Sequence, residues 1–198
     1  MREAAPGVLL ALLPAFLLLF LSSCKAGGPG QASAPGRQEQ TRANGQKTSG
    51  YSPTTVGAPA PQITVYDPAG HPLKLSDLRG NVVIINFWAT WCSTCAMEKP
   101  LLNRFYSVFR KYPHFRLITV LYNDSADNAR AYLAKHSYHL PFYTDPGDRA
   151  AAAYGLTGVP ENYVVDKRGI LRGKAIGPVS WDDPGVSAFI KKLLKEKE

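Results

Sequence analysis

Residues 81–95 read NVVIINFWATWCSTC and carry the strongest structural signal in the chain. The first eight residues form a nearly continuous run of β-branched and aromatic side chains, which is typical of a strand buried on both faces. From Cys92 to about Lys111, apolar side chains recur at helical spacing. Because a buried strand that leads directly into a helix is half of a βαβ unit, this stretch predicts an α/β domain.

The segments on either side of this unit carry further strand and helix patterns. Before it, Ile63–Tyr66 and Leu73–Leu75 flank the turn sequence at residues 67–70 and predict a leading β-hairpin. After it, the pattern predicts a strand at Phe115–Tyr122, a helix at Asp124–His136, an extended piece at Phe142–Thr144, a helix at Ala150–Tyr154, a hairpin of Tyr163–Asp166 with Ile170–Ile176, and a helix at Val186–Leu194. We therefore predict one α/β domain with a central mixed β-sheet over residues 58–198.

Two cysteines stand where the first helix is expected to begin. Cys92 and Cys95 are three positions apart, so one helical turn brings their sulfurs within bonding distance. Cys92 would lie at the positive end of the helix dipole, where free backbone N–H groups lower the pKa of its thiol and make it a nucleophile. The spacing predicts dithiol–disulfide exchange, in which Cys92 attacks a disulfide and Cys95 resolves the resulting mixed disulfide.

Metal binding and a purely structural disulfide are the alternatives for this pair. Three cysteines are too few for a four-cysteine zinc site, so no metal and no cofactor is expected. A disulfide that closes so short a loop would constrain the unfolded chain little, which disfavours a structural role.

The motif around the cysteines resembles a known family. NFWATWCSTC resembles the active-site strand and helix start of the thioredoxin fold, and its extension to Pro100 matches the W-C-x-x-C-x-x-E-x-P pattern of TlpA/ResA-type membrane-anchored thiol-disulfide oxidoreductases. Gly158-Val159-Pro160-Glu161 is similar to a run in the CcmG/DsbE-type thioredoxins of cytochrome c maturation, where the proline is cis. The resemblance covers residues 58–198, including the leading hairpin and an extra helix inserted after the second core strand, and it implies a thioredoxin fold.

The resemblance also implies further site residues. Glu98 follows Cys95 by three positions, so we expect it to carry the Cys95 proton or to raise thiol pKa values by repulsion, with a solvated first-turn glutamate as the alternative. A cis Val159–Pro160 bond would place a backbone edge beside Cys92 for a substrate strand. The expected catalytic residues are Cys92, Cys95, Glu98 and Pro160, and the expected site-shaping residues are Trp91, Asn86, Val159 and Glu161.

Asn86 is a departure from thioredoxins proper, which carry a buried aspartate at the matching place. An asparagine cannot transfer a proton, so we expect any proton relay to use Glu98 or water. This difference favours the TlpA/ResA group over a cytoplasmic thioredoxin.

The first 57 residues are expected to target the protein to a membrane and to anchor it there. An apolar stretch from Val8 to Leu21 ends in Leu21-Ser-Ser-Cys24, which resembles a bacterial lipobox. The prediction is a signal peptide at 1–23, a lipidated Cys24 and a flexible tether over 24–57. An ordinary signal peptide and an uncleaved anchor helix stay open. We expect an extracytoplasmic protein on the periplasmic face of a bacterial membrane, with the outer membrane possible because Lys25 replaces the inner-membrane retention aspartate.

The charge and the motifs together define the expected partners. The net charge is +8, but no run of Lys and Arg is longer than two, so nucleic-acid binding is not expected. The expected partners are a disulfide-bearing client protein and an upstream membrane electron donor, and the protein is expected to be a monomer.

Reduction of protein disulfides, including those of apocytochrome c or another metalloprotein, is the predicted function, and two alternatives remain. A peroxiredoxin-like peroxidase would share the fold, but Ile85 and Ala89 replace the proline and the Thr/Ser of its usual motif before Cys92. A copper-delivery chaperone would use the thiols and a histidine as ligands, although its cysteines are usually four apart.

Overall fold

The computed structural model describes residues 54–197. The predicted signal peptide, Cys24 and most of the predicted tether lie outside the described residues. Thr54 and Gly57 belong to the predicted tether, yet the Thr54 hydroxyl donates to the Tyr154 carbonyl at 2.6 Å and the Gly57 N–H donates to the Leu171 carbonyl at 2.8 Å. The described chain therefore contacts the domain from Thr54 onward. Within this range, no helix has the length and apolarity needed to cross a membrane.

The elements follow the predicted order closely. They are β1 (Thr64–Tyr66), β2 (Pro72–Lys74), a short 3-10 helix (Leu75–Leu78), β3 (Val82–Trp88), α1 (Ser93–Phe109), β4 (Phe115–Leu121), α2 (Ala126–Lys135), α3 (Arg149–Tyr154), β5 (Glu161–Val165), β6 (Leu171–Ile176) and α4 (Pro184–Lys195). The leading hairpin is confirmed as the antiparallel pair β1–β2, and α2 is the extra helix that follows the second core strand.

The central sheet has four strands in the order β4-β3-β5-β6. β3 pairs with β4 in parallel and with β5 antiparallel, and β5 pairs with β6 antiparallel, so the predicted mixed sheet is confirmed. The carboxyl end of β3 and the amino end of β5 therefore lie side by side at the same end of the strands, where Phe87 pairs with Glu161. Both predicted motifs lie at this end of the sheet: the cysteine pair follows β3, and the Val159–Pro160 bond precedes β5.

Strand β3 is buried along its whole length because its alternate side chains enter two separate cores. Val82, Ile84 and Trp88 pack with α1, α2 and α4, whereas Val83, Ile85 and Phe87 pack with β1 and α3 on the other face. Two cores leave no solvent-exposed position on this strand. That explains why its sequence shows a continuous apolar run rather than an alternating pattern.

Asn86 interrupts that apolar run, and the residues paired with it on the two neighbouring strands are also polar. Thr119 on β4 and Asn162 on β5 lie directly opposite Asn86. All three side chains are buried. Since buried polar groups require hydrogen-bond partners, this row of three residues marks a polar site within the core.

Candidate active site

Cys92 occupies the N-cap of α1, and Cys95 lies one turn into the helix. The Cys92 backbone is extended, and the Cys95 N–H donates to the Cys92 sulfur at 3.1 Å. The two sulfurs form a disulfide, with the Cα atoms 5.2 Å apart. Cys92 is 6% exposed and Cys95 is 1% exposed, so the outer sulfur is the one that a large substrate reaches first. This geometry favours Cys92 as the attacking thiol, because unpaired N–H groups at a helix start stabilise a thiolate.

The Val159–Pro160 peptide bond is cis, as the resemblance implies. The Val159 carbonyl oxygen lies 3.4 Å from the Cys92 sulfur, and the Pro160 carbonyl accepts a hydrogen bond from the Gly177 N–H at 2.9 Å. The structure thus brings Val159 and Pro160 directly to the cysteine pair. Their part in substrate pairing remains a prediction.

The loop after β4 holds the segment just before Cys92. The exposed Trp91 indole donates to the Asn123 carbonyl at 3.0 Å, and both the N–H and the hydroxyl of Thr90 donate to Asp124 at 2.6 Å. Burial alone would raise the pKa of Asp124, but hydrogen bonds from Thr90, Asn128 and Ser125 outweigh it and hold the pKa below its ordinary value. Asn123 and Asp124 were not predicted from the sequence, because no motif links them to a loop more than thirty residues earlier.

Glu98 is only 1% exposed, so the alternative of a solvated first-turn glutamate is wrong. Its Oε1 accepts from the Asn162 amide at 2.7 Å, the Trp181 indole at 2.9 Å and the Val179 N–H at 3.0 Å. Its Oε2 accepts from the Asn86 amide at 3.1 Å. Four donors converge on this carboxylate, which is the pattern expected for an ionised carboxylate that is removed from water.

Asn86 connects this carboxylate to a buried cation. Its Nδ2 donates to Glu98 and, at 2.8 Å, to Asn162, while its Oδ1 accepts from the Lys99 ammonium at 2.7 Å. The Lys99 ammonium also lies 3.9 Å from the centre of the Trp88 ring, a cation–π contact. We call Asn86, Glu98, Lys99, Asn162 and Trp181 the buried polar cluster.

Lys99 is completely buried, and it was not predicted from the sequence as a site residue. Burial lowers the pKa of its ammonium to about 7, although the neighbouring Glu98 carboxylate opposes the shift. A signal was present, since Lys99 stands four residues after Cys95 and three before Leu102, on the buried stripe of α1. Asn162 and Trp181 carried no such signal, because they meet Glu98 only through the tertiary fold.

The lowered pKa of Lys99 predicts a pH-dependent stability. In the unfolded chain this ammonium keeps its proton up to its ordinary pKa of 10.5, whereas the folded protein loses the proton above about 7. Between these values the unfolded state binds more protons, so the contribution of Lys99 to the free energy of unfolding rises with pH. We expect this free energy, measured by denaturant unfolding of the oxidised protein, to increase more steeply between pH 7 and 10 than in Lys99→Met.

The matched control is Arg104→Met, which removes a positive charge from an exposed position on the same helix. Its unfolding free energy should follow the wild-type slope with pH. Parallel curves for wild type and Lys99→Met would contradict the assignment of a lowered pKa to Lys99.

Glu161 is buried on the opposite face of the sheet from Glu98. Consecutive strand residues point to opposite faces, so Asn162 reaches Glu98 and Glu161 does not. The Glu161 carboxylate accepts from the Thr157 N–H at 2.9 Å, the Thr157 hydroxyl at 2.7 Å and the Tyr163 hydroxyl. Burial alone would raise the pKa of Glu161, but these hydrogen bonds and Lys174 hold it below its ordinary value. Glu161 holds the turn that leads into Pro160 through Thr157, and its expected site-shaping role stays a prediction.

Among residues 54–197, no group of three or more His, Cys, Asp or Glu side chains is arranged to hold a metal ion. The described site contains a disulfide at a helix start, a cis-proline carbonyl beside its outer sulfur, and a buried carboxylate and ammonium on the same helix. Such a site can exchange two electrons with another disulfide and can hold the associated protons.

Comparisons with known proteins agree with this chemistry. The sequence profile of the AhpC/TSA family matches residues 56–174. The chain is 33% identical over 135 residues to the thiol:disulfide interchange protein HelX of Rhodobacter capsulatus, covering 66% of this chain and 73% of that protein. It is 29% identical over 128 residues to the thiol-disulfide oxidoreductase ResA of Geobacillus kaustophilus, covering 65% of this chain and 73% of that protein.

Solved structures show the same likeness. The crystal structure of a thiol:disulfide interchange protein DsbE from Chlorobium tepidum superposes with a TM-score of 0.63 at 26% identity, over 71% of this chain and 98% of that chain. The thioredoxin fold expected from the motifs is therefore confirmed. The chain belongs to the AhpC/TSA family and, within it, to the thioredoxin-fold thiol-disulfide oxidoreductases of the TlpA/ResA and CcmG/DsbE type.

Proposed function

We propose that this protein reduces disulfides of extracytoplasmic client proteins while anchored to a bacterial membrane by a lipid on Cys24. The single observation that carries the dithiol-exchange part of this proposal is the asymmetry of the pair: Cys92 lies at the helix start and is 6% exposed, whereas Cys95 lies one turn further on and is 1% exposed. An attacking thiol must reach the substrate, whereas a resolving thiol needs to reach only its partner.

The proposed reaction transfers two electrons from the dithiol to the client. The Cys92 thiolate attacks one sulfur of the client disulfide, and the sulfur that leaves takes up a proton. Cys95 then loses its proton and attacks the Cys92 sulfur, which breaks the mixed disulfide. The second client sulfur leaves with the electron pair and takes up a proton. The client ends as a dithiol, and the protein ends in the disulfide form that the structure shows.

The client class follows from the likeness to interchange proteins. HelX and DsbE are named thiol:disulfide interchange proteins and ResA a thiol-disulfide oxidoreductase, which supports a protein disulfide as the substrate. We propose apocytochrome c, or another metalloprotein before metal insertion, as the client, because metal or haem attachment needs free thiols. Each turnover leaves the pair oxidised, so an upstream membrane electron donor must supply two electrons.

The direction of exchange is tested by the redox potential. A reductase should equilibrate below about −220 mV, nearer to thioredoxin than to an oxidant such as DsbA at about −120 mV. The measurement is the fraction of Cys92–Cys95 disulfide in thiol–disulfide buffers, together with the rate of reduction of a disulfide in a Cys-x-x-Cys-His peptide. A potential near that of DsbA would contradict the reducing direction.

Two further assays test the alternative functions. Peroxide-dependent oxidation of the thiols with turnover would favour the peroxidase. Stoichiometric Cu(I) binding that is lost on changing one histidine would favour the copper chaperone. Neither result is expected, since Ile85 and Ala89 occupy the two motif positions of the peroxidase, and the spacing of the cysteines differs from that of the copper carriers.

The membrane anchor is tested at Cys24. We propose that residues 1–23 are removed and that Cys24 carries the lipid. The chain between Cys24 and Thr54, where contact with the domain begins, tethers the domain on the periplasmic face. Membrane fractionation distinguishes the inner from the outer membrane. Cys24→Ser should move the protein from the membrane fraction to the soluble fraction and abolish labelling by a fatty-acid analogue. Peptide reduction by the purified variant should be unchanged, because Cys92 and Cys95 lie in the domain. Membrane retention of a wild-type protein that carries no fatty-acid label would contradict lipid anchoring and leave an uncleaved helix as the anchor.

A further inference from the structure

Lys99 is a buried cation that the proposed exchange reaction does not use. It is 0% exposed, on the helix that begins at the cysteine pair. Burying an ammonium is unfavourable unless hydrogen bonds and an opposite charge compensate for the lost water. The position of Lys99 therefore needs an explanation beyond packing, since an aliphatic residue would fill the same space without that cost.

Lys99 is connected through Asn86 to the Glu98 carboxylate, three residues after Cys95. Its ammonium donates to Asn86 Oδ1 at 2.7 Å, and Asn86 Nδ2 donates to Glu98 Oε2 at 3.1 Å. An ammonium only donates and an ionised carboxylate only accepts, so one amide group can bridge them in a single orientation. Removing the positive charge would leave Asn86 Oδ1 without this donor and would leave Glu98 without its nearby cation.

The same cluster lies next to the resolving cysteine in the fold. Cys95 and Lys99 are four residues apart on α1, and Cys95 and Glu98 are three apart, so all three stand on one face of the helix. Cys95 and Trp88, the ring that carries the Lys99 ammonium, belong to the same core. A positive charge in this low-dielectric environment favours a negative charge on either neighbour.

The titratable groups that face Lys99 are few. On its own helix they are Glu98 and, when the disulfide is reduced, Cys95. From β3 it meets Asn86 and the Trp88 ring, which do not titrate. From α2 the Tyr132 ring packs against Trp88, and burial raises the pKa of Tyr132, so this tyrosine stays neutral.

We propose that Lys99 is a positioning residue for the resolving step: its charge, held against Asn86, favours loss of the proton from Cys95. In that step Cys95 loses its proton, the Cys95 thiolate attacks the Cys92 sulfur, and the bond between Cys92 and the client breaks with the electron pair on the client sulfur. Lys99 stabilises the negative charge that remains after the proton leaves Cys95. This inference rests on the dithiol exchange within the proposed function and requires neither the lipid anchor nor a particular client.

A surface cleft lies beside the residues that donate to Glu98. Asn162, Val179 and Trp181, the three residues that donate to Glu98 Oε1, also line a surface cleft of about 290 Å³ between β5–β6 and α4. These three donors therefore separate the Glu98 carboxylate from the cleft.

The experiment follows the two release phases of Ellman's reagent from the full-length chain. Every variant carries Cys24→Ser, so that only Cys92 and Cys95 react. In the first phase Cys92 attacks the reagent and releases one nitrothiobenzoate; in the second phase Cys95 resolves the Cys92 adduct and releases another. The leaving group departs as a stable thiolate, so the pH profile of the second phase reports proton loss at Cys95.

For Lys99→Met we expect the midpoint of the second phase to move to higher pH by about one unit, because a nearby cation typically shifts a titration by about 1–3 units. At pH 6, where Lys99 keeps its proton, the second phase should slow by roughly tenfold, while the first phase should change by less than about twofold. Arg104→Met, the exposed control on the same helix, should leave both midpoints unchanged. A uniform slowing of Lys99→Met at every pH, without a shifted midpoint, would overturn the proposal and assign Lys99 a packing role.

A second measurement keeps the proposal testable if Lys99→Met does not fold. In wild-type protein with ¹³C-labelled lysines, the Lys99 side chain is identified by the ring-current shift from Trp88. Its titration midpoint should differ between the disulfide and dithiol forms, since the charge on Cys95 differs between them. Equal midpoints in the two forms would overturn the coupling.

These outcomes are separable from the proposed function. Failure to reduce a peptide disulfide, with the Ellman midpoint still shifted by Lys99→Met, would overturn the client proposal and support the role of Lys99. Normal peptide reduction with unshifted midpoints would support the client proposal and overturn the role of Lys99.

Discussion

Replacing Cys92 with serine is expected to lower the rate of disulfide reduction by at least about 10³-fold, because the covalent intermediate can no longer form. The domain should still fold, since the disulfide joins residues only three apart and contributes little chain-entropy stabilisation. The measurement is steady-state reduction of a peptide disulfide, with circular dichroism to verify the fold.

The matched control for this substitution is Ser93→Ala. Ser93 is exposed and is the first residue of α1, directly beside Cys92. Its replacement should leave the rate within about threefold of wild type, because its side chain takes no part in the exchange. Persistent activity in Cys92→Ser would show that the attacking thiol has been assigned to the wrong residue.

Replacing Cys95 with serine should produce the second large effect, the accumulation of a covalent complex with the client. Cys92 can still attack, but no thiol remains behind it to break the mixed disulfide. Cys95 is nearly inaccessible, so no external thiol reaches its position to substitute for it. In cells that express Cys95→Ser, we expect a higher-mass species on non-reducing gels that disappears on reduction.

Mass spectrometry of this adduct identifies the client and the cysteine to which it is joined. The control is the double variant Cys92→Ser with Cys95→Ser, which should capture nothing, because the attacking thiol is also absent. Equal capture by single and double variants would indicate adducts through Cys24, and no adduct at all would count against a protein disulfide as the substrate.

The two cysteines have different expected phenotypes because the fold places them differently. Cys92 lies at the helix start with the Val159 carbonyl 3.4 Å from its sulfur. Cys95 lies one turn further on and is 1% exposed, against 6% for Cys92. Their sequence spacing alone predicts that they can bond to each other, and the order of attack follows from the helix direction.

Local patterns were sufficient for the elements and for the pair. The apolar run at 82–88, the helical spacing after Cys92 and the turn residues near Gly70 and Gly169 all act over fewer than about twenty residues, so they can be recognised in one sequence. The cis bond at Pro160 was expected only from resemblance, because no local rule distinguishes it from an ordinary loop proline.

The surroundings of Glu98 could not be predicted in this way. Three of its four donors, from Asn162, Val179 and Trp181, lie 64 to 83 residues further along the chain. The motif around Pro160 predicted Glu161 as a site-shaping residue, but strand alternation turns Glu161 to the other core and Asn162 toward Glu98. Which of two adjacent polar residues faces a site depends on strand register, and one sequence does not specify it.

Local sequence was enough to specify a strand–turn–helix unit with two cysteines at its junction, and with it the class of chemistry, because bonding between residues three apart depends only on helix geometry. Only the assembled fold shows that Glu98 and Lys99, adjacent charges on one helix, are both buried and are joined through Asn86. The physical reason is that burial of charge requires partners from several elements at once. Those partners come together only when β3, β5 and the segment before α4 are packed around α1.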